Sequence, residues 1–182
     1  MVDAMSSGPA SEPASPCPCR GTVIALSPAE RGWYAPPLSI LRDVQGPDFH
    51  GPSSSHTAGP QQIALAVYRS LGGQPDRAAV ALYNSLASTG DGHRTPVAVI
   101  AGLLGLRTTD PRTPMAPSLA EAAGLRVDFG RVQRPDHHAN TLVITASRGD
   151  RVVRLRGVSL GGGLVEVEPC DAVEEVHHAG LH

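Results

Sequence analysis

The sequence predicts an α+β domain in which helices pack against one mixed β-sheet. Helical patterns occupy the middle of the chain, and strand patterns occupy the last third. The segment Arg148-Gly149-Asp150 separates two of the strands by a short turn, which is typical of a hairpin. Because helices and sheets must bury their apolar faces against one another, this order of elements favours a two-layer α/β sandwich.

Three helices are predicted in the middle of the chain. The segment Pro60–Leu71 starts with a proline that suits a first turn, and its apolar residues recur on one face. The segment Thr95–Leu106 is apolar nearly all round, which indicates a central and well-covered helix. A shorter helix is expected at Ser118–Ala123, with Met115 as its earliest start.

Five strands are predicted from short apolar or alternating runs. The first, Arg77–Ser85, is apolar and follows a Gly/Pro turn, so we expect it to be buried. The other four are Leu125–Val132, Thr141–Ser147, Arg151–Ser159 and Leu164–Glu168.

Composition divides the chain into three parts. Residues 1–37 are rich in Pro, Ser, Ala and Gly without periodicity, and we expect a disordered extension there. Residues 38–170 are expected to form the folded domain, which begins with a short helix over Ile40–Val44. Residues 171–182 form a C-terminal tail, whose histidines are expected to be solvated.

The charge balance and the absence of lysine exclude several classes of function. The chain has 15 basic and 17 acidic residues, so no basic excess points to nucleic acid. No apolar stretch approaches the roughly 18 residues of a membrane span, and no secretory signal opens the chain, so we expect a cytoplasmic protein. All 15 basic residues are arginines, which excludes a pyridoxal phosphate Schiff base and a P-loop lysine.

The cysteines are too few and too scattered to favour an iron–sulfur cluster held by this chain. Cys17 and Cys19 flank a proline in the N-terminal extension, and Cys170 lies near the other end. A cluster needs about four thiolates in a rigid frame, or three with one open iron. Reduced thiols in a cytosolic protein are the simpler interpretation.

The strongest chemical pattern is a serine-rich loop before the first predicted helix, Gly-Pro-Ser-Ser-Ser-His-Thr-Ala-Gly-Pro. His56 is its only group that can take a proton near neutral pH, and the helix N-terminus behind it favours an anion such as a carboxylate. The alternative is that Ser55 or Thr57 only caps the helix and that His56 is solvated. The hydroxyl residues of the loop are Ser53, Ser54, Ser55 and Thr57.

Three further polar loops join regular elements. Thr-Gly-Asp-Gly-His-Arg-Thr again precedes a helix where an anion could dock, His-His-Ala-Asn-Thr precedes a strand, and Ser-Leu-Gly-Gly-Gly follows one. A flexible loop, a polar turn and a hairpin corner explain these segments equally well. The candidate residues in them are His93, Thr95, His138, Asn140, Thr141, Gly161 and Gly162.

Two other site types are weighed against this one. His56, His93 and His138 could form an open zinc site from three separate loops, although no His-Glu-x-x-His pair is present. A nucleophilic serine is disfavoured because the three serines lack the Gly-x-Ser-x-Gly elbow that follows a strand.

Taken together, the four loops resemble one family, the β chain or β domain of iron–sulfur L-serine dehydratases. The serine-rich loop is similar to that family's motif almost letter for letter. Gly-Asp-Gly-His-Arg-Thr resembles its Gly-His-Gly-Thr-Asp, His-His-Ala-Asn-Thr its His-Pro-Asn-Thr, and Ser-Leu-Gly-Gly-Gly its Ser-Ile-Gly-Gly-Gly. The motifs occur in the family's order, and the resemblance covers about Leu38 to Glu168.

The resemblance implies a lyase subunit that helps to convert L-serine to pyruvate and ammonia. In this family a [4Fe-4S] cluster acts as a Lewis acid on the substrate, and the α chain holds that cluster. We therefore expect an iron–sulfur α chain as partner, a small amino-acid substrate, no metal ligands in this chain, and a possible homodimer of β chains. The β part is similar in fold to the allosteric substrate-binding domain of some phosphoglycerate dehydrogenases.

Carried onto this chain, the resemblance makes His56 the candidate residue for proton transfer. The hydroxyls of the serine-rich loop would bind the carboxylate or ammonium group of the substrate, and the candidate residues of the other loops would support that face or meet the α chain. Pro96 stands where the family usually has Asp, and Ala139 where it has Pro. The resemblance is to a member that lacks the ACT-like regulatory domain.

Two alternative functions stay open alongside the dehydratase subunit and the zinc hydrolase. One is a free-standing module that senses serine or another small carboxylate. The other is a variant dehydratase subunit for a different β-hydroxy amino acid.

Overall fold

The computed structural model describes residues 49–170 of the chain. The predicted extension at residues 1–37, the helix at Ile40–Val44 and the tail at residues 171–182 lie outside the described residues. Within residues 49–170, no helix is long and apolar enough to cross a membrane.

A mixed five-stranded sheet forms one layer, with the strand order β2-β1-β3-β4-β5. β1 runs parallel to β2, whereas β1–β3, β3–β4 and β4–β5 are antiparallel pairs. The sheet and its helices confirm the predicted α+β class, and every strand end lies within two residues of its prediction. The strands are β1 Arg77–Tyr83, β2 Arg126–Val132, β3 Thr141–Arg148, β4 Arg151–Gly161 and β5 Leu164–Pro169.

Four α-helices accompany the sheet, and the sequence predicted three of them. The missed helix is α2, six residues long, because so short a segment carries no readable periodicity. The sequence places its first two residues, Asn84 and Ser85, at the end of the preceding strand, and that part of the prediction is wrong. The helices are α1 Gly59–Leu71, α2 Asn84–Thr89, α3 Thr95–Leu103 and α4 Ala116–Ala122, with a 3-10 turn at Thr113–Met115 before α4.

The third helix, α3, ends three residues earlier than predicted. Gly105 follows it with φ of +81°, and its N–H donates to the carbonyl of Gly102 at 2.9 Å. A left-handed glycine after the last turn ends a helix because no side chain opposes that backbone conformation.

Helix α1 packs between the sheet and α3, with its predicted apolar face fully buried over the core. Gly102 on α3 touches the backbone of α1, since a Cβ there would collide with the Gln61 carbonyl and the side chain of Ala64. On the sheet side, Gly157 of β4 leaves room for the Ile63 side chain in the same way. These close contacts set the helix N-terminus over one end of the sheet.

Candidate active site

The four polar loops meet at the end of the sheet where α1 begins. The antiparallel register places the end of β1, the start of β3 and the end of β4 side by side, as the pairs Leu82–Leu142 and Thr141–Val158 show. The start of α1 lies against the end of β4, where Ser159 leaves no space for a Cβ on Gly59. The structure therefore brings together all four segments in which the sequence placed candidate residues.

The serine-rich loop is ordered as a π-helical turn, Ser54–Ala58, that runs directly into α1. Ser53 caps this turn, because its Oγ accepts the N–H of His56 at 3.1 Å and its carbonyl accepts the N–H of Thr57 at 2.9 Å. The cap is thus Ser53 rather than Ser55 or Thr57. Its hydrogen bonds fix the backbone from which the His56 side chain projects.

The ring of His56 is hydrogen bonded to a hydroxyl group at each nitrogen. Its Nδ1 lies 2.9 Å from Ser55 Oγ, and its Nε2 lies 3.0 Å from Ser85 Oγ. Partial burial lowers the pKa of His56 from its ordinary value, and the nearby imidazole of His93 lowers the pKa further. The ring is therefore neutral at pH 7, which is the form that can accept a proton.

His93 lies directly beside this ring. The two ring centroids are 4.7 Å apart, with the planes inclined by 34°. Nδ1 of His93 donates to the carbonyl of Thr89 at 2.9 Å. The last residue of α2 thus holds the His93 side chain in place. A charge on His93 would repel a charge on His56, which is the second cause of the lowered pKa of His56.

Three buried threonines stabilise the loops through bonds to backbone carbonyls. The Thr95 hydroxyl donates to the carbonyl of His56 at 2.6 Å, and the Thr57 hydroxyl donates to the carbonyl of His93 at 2.8 Å. The Thr141 hydroxyl closes the third loop by donating to the carbonyl of residue 138 at 2.9 Å. Each of these residues is buried and its hydroxyl has a backbone partner. Thr57 and Thr95 hold the serine-rich turn against the second loop, whereas Thr141 stabilises only its own turn.

The third loop uses its histidine for its own turn. Nδ1 of His138 accepts the backbone N–H of Asn140 at 3.1 Å, and the His138 side chain is exposed. The Asn140 amide reaches the next loop, because its Nδ2 donates to the Ser159 carbonyl at 3.4 Å. Its buried Oδ1 has no hydrogen-bond partner within the described part of the chain.

The glycine run after β4 bends the chain toward the serine-rich turn. Gly161, Gly162 and Gly163 all have positive φ, at 93°, 58° and 79°, a region that side chains oppose. The N–H of Gly162 donates to Ser54 Oγ at 3.3 Å. Gly161 pairs with Leu164, the register shifts between Ser159 and Gly161, and a Cβ on Gly161 would meet no atom within 4 Å. The glycines thus form a bulged hairpin corner between β4 and β5, which was one of the two interpretations of this segment.

Sequence reasoning missed Ser85 and the residue before it, Asn84. Asn84 adopts φ of +47°, a left-handed conformation that costs a non-glycine residue roughly 1 kcal/mol. Its amide donates to the carbonyls of Arg134 and His137 at 2.8 and 3.0 Å, and its Oδ1 accepts the N–H of Arg134 at 2.8 Å. An Asn at the end of an apolar run was the only signal in the sequence, since Asn tolerates this backbone.

The donor groups of this part of the chain do not fit a metal or an iron–sulfur cluster. Among residues 49–170, no group of three or more His, Cys, Asp and Glu side chains could hold a metal ion. Cys170 is the single cysteine of that range, since Cys17 and Cys19 lie outside it. His138 is engaged in its own turn, and the three-histidine zinc arrangement is not assembled.

The fold and the site together define an α/β sandwich that presents a hydroxyl-bound histidine where four loops meet. The family model described as "Serine dehydratase beta chain" matches residues 49–127. The chain is 40% identical over 132 residues to the "Probable L-serine dehydratase, beta chain" of Bacillus subtilis, which covers 72% of this chain and 60% of that protein. It is 34% identical over 128 residues to the "L-serine dehydratase, beta chain" of Peptoniphilus asaccharolyticus, with 69% and 57% covered.

The chain belongs to the serine dehydratase β-chain family. The chain is also 32% identical over 139 residues to "L-serine dehydratase 2" of Escherichia coli. That match covers 63% of this chain and 30% of the relative, which is a longer protein. The match spans about 60% of the length of the two β-chain relatives.

Proposed function

We propose that this chain is the β subunit of an iron–sulfur L-serine dehydratase, which converts L-serine to pyruvate and ammonia. The observation that carries the proposal is the His56 ring, held neutral between two hydroxyls at the meeting point of the family's four loops. The two relatives are L-serine dehydratase β chains by name, which supports the same reaction and a partner α chain.

In this proposal His56 takes the α-proton of L-serine. A neutral imidazole has one nitrogen that can accept a proton, and its lowered pKa keeps it in that form at neutral pH. With the α-proton on His56, the β-hydroxyl takes up one proton from solvent and leaves as water, which produces 2-aminoacrylate. His56 then returns its proton to solvent, so the elimination removes one water in total. This product tautomerises to an imine, and water hydrolyses the imine to pyruvate and ammonia.

The serine-rich turn would orient the substrate. Ser53 and Ser54 already serve the protein backbone, since Ser53 caps the turn and Ser54 accepts the Gly162 N–H. Ser55 contacts the imidazole, with its Oγ 2.9 Å from Nδ1 of His56. A substrate whose carboxylate approached the turn would thus find a hydroxyl next to the proton acceptor.

The partner would be an α chain that carries the iron–sulfur cluster. The described residues offer no ligand set for such a cluster, so the proposal assigns the cluster to the α chain. The loop-lined end of the sheet is where the two chains would share the substrate, because four polar loops with buried supports converge there.

The experiment is anaerobic deamination of L-serine by the full chain alone and mixed with an iron–sulfur α chain whose cluster has been reconstituted. Pyruvate from the mixture, and from neither chain alone, is the expected result. A complex that forms without acting on L-serine but acts on another β-hydroxy amino acid would correct the substrate. If no complex forms and this chain binds L-serine directly, the proposal that it is a dehydratase subunit would be wrong, and a sensing module would be favoured.

A further inference from the structure

Ser85 contacts the ring nitrogen of His56 that the serine-rich turn does not reach. Its Oγ lies 3.0 Å from His56 Nε2, across 29 residues of sequence. The other ring nitrogen, Nδ1, is hydrogen bonded to Ser55, which is adjacent in sequence and is part of the same turn. Ser85, two residues after the end of β1, is therefore the contact that orients the ring relative to the sheet.

The position of Ser85 is itself firmly determined. It lies in the first turn of α2, next to Asn84. The side chain of Asn84 holds that residue's left-handed backbone through three hydrogen bonds to the 134–137 segment. The N–H of Ser85 donates to the Ala139 carbonyl at 2.9 Å. Two loops thus fix the backbone that carries this hydroxyl, and strain in the backbone is offset by those bonds.

A hydroxyl suits this role because it can both donate and accept. The outer torsion of a histidine side chain is broad and roughly two-fold, so packing alone does not select one ring orientation. Hydroxyls at both nitrogens select one, since a flipped ring would place carbon atoms against both oxygens. The Ser85 hydroxyl accepts from a protonated Nε2, which leaves Nδ1 as the nitrogen that takes the α-proton once the Ser55 hydroxyl turns from Nδ1 to the substrate. The Ser85 contact then persists while the ring gains that proton.

We infer that Ser85 is a positioning residue for His56, which holds the imidazole in one orientation during proton transfer. The inference rests on the proposed function for its kinetic consequence. The orientation of the ring is a property of this chain by itself and can be measured without the α chain.

The kinetic test compares Ser85→Ala with Ser88→Ala in the assembled complex. The control residue Ser88 lies on the same short helix, and its hydroxyl donates to the Asn84 carbonyl at 3.0 Å without meeting the ring. We expect Ser85→Ala to lower kcat about 10-fold, the effect of one lost hydrogen bond in the transition state, with KM for L-serine unchanged. Ser88→Ala should leave kcat unchanged, and Ser85→Thr, which keeps the hydroxyl, should restore it.

The second test records the imidazole nitrogens of His56 by long-range ¹⁵N–¹H NMR on the full chain alone. Ser85→Ala should shift the Nε2 resonance, whereas Ser88→Ala should not. The pair Ser85→Thr and Ser85→Val separates loss of the hydroxyl from a change of shape, should the alanine variant fold poorly. An unchanged Nε2 resonance in Ser85→Ala or Ser85→Val would overturn the inference, whether or not the complex produces pyruvate.

Discussion

The turn at residues 53–58 and the turn at residues 137–141 lie at the same end of the sheet, and each carries a histidine. In the first, the ring of His56 is hydrogen bonded to hydroxyls from two different elements. In the second, the ring of His138 accepts a backbone N–H two residues further along the chain. One imidazole is thus positioned by the tertiary structure, and the other completes its own turn.

The comparison shows that a histidine in a polar loop acquires a chemical role only through groups from elsewhere in the chain. His56 is partly buried, lies beside His93 and has a lowered pKa, all of which follow from packing of separate loops. His138, by contrast, has an exposed ring that accepts one local hydrogen bond. Substitutions at the two turns therefore test different properties, and their effects should differ in kind as well as in size.

The largest effect is expected from His56→Gln in the assembled complex. Glutamine keeps hydrogen-bonding capacity toward the hydroxyls but cannot accept a proton, so kcat for L-serine should fall at least ~100-fold. The matched control is His50→Gln at an exposed histidine whose Nε2 meets the carbonyl of Thr109 at 3.2 Å. Normal turnover by an intact His56→Gln complex would show that the base lies elsewhere.

A smaller effect, a change in the pKa of His56, is expected from His93→Gln. Burial is the main cause that lowers the pKa of His56, and the charge of His93 is the second, so removing His93 should raise that pKa. The measurement is an NMR titration of the His56 ring in the full chain, with His50→Gln as the reference variant. An unmoved or lowered pKa would show that the two rings do not interact electrostatically.

The lowered pKa of His56 also determines how the free energy of unfolding changes with pH. Because the folded-state pKa of His56 lies below its unfolded value near ~6.5, its neutral form favours the native state above that pH. This contribution is lost as pH falls from about 6.5 through the lower folded pKa. The loss should be smaller in His93→Gln, since its folded pKa lies closer to the unfolded one.

The smallest effect is expected at His138, in the stability of the chain alone. His138→Ala removes the acceptor of the Asn140 N–H and should lower the free energy of unfolding by about 1 kcal/mol, the value of one hydrogen bond. His138→Asn should keep most of that free energy, because the asparagine oxygen can accept the same N–H in a turn. Urea unfolding of the two variants and the unmodified chain measures the difference, and equal losses would contradict the local role.

Much of the fold was predictable from local patterns. The five strands and the helices α1, α3 and α4 follow from apolar patterns over six residues or more. The three helices also have prolines in their first turns and glycines soon after their ends. Helix α2 was not predictable, because its boundary is a left-handed Asn84 held by partners about fifty residues away. The sequence around it reads as the end of an apolar strand.

The candidate site was predictable only in part. The serine-rich turn, His93 and the glycine run were found because their residue types are unusual in a core, and the structure does bring their loops together. Ser85 was missed because a single serine after a strand is common. Its importance comes from its distance to His56 Nε2, which depends on how β1 and α1 lie relative to one another.

By itself, the sequence determined the fold class, the order of the main elements and the loop that carries the histidine. These are consequences of local chemistry: apolar periodicity, the fixed φ of proline, the freedom of glycine and the capping capacity of serine. Only the tertiary structure decided which histidine is held between two hydroxyls and which one closes a turn. That difference depends on distances between atoms far apart in the chain. These distances are set by the strand register and by the close packing of α1 at Gly102 and Gly157.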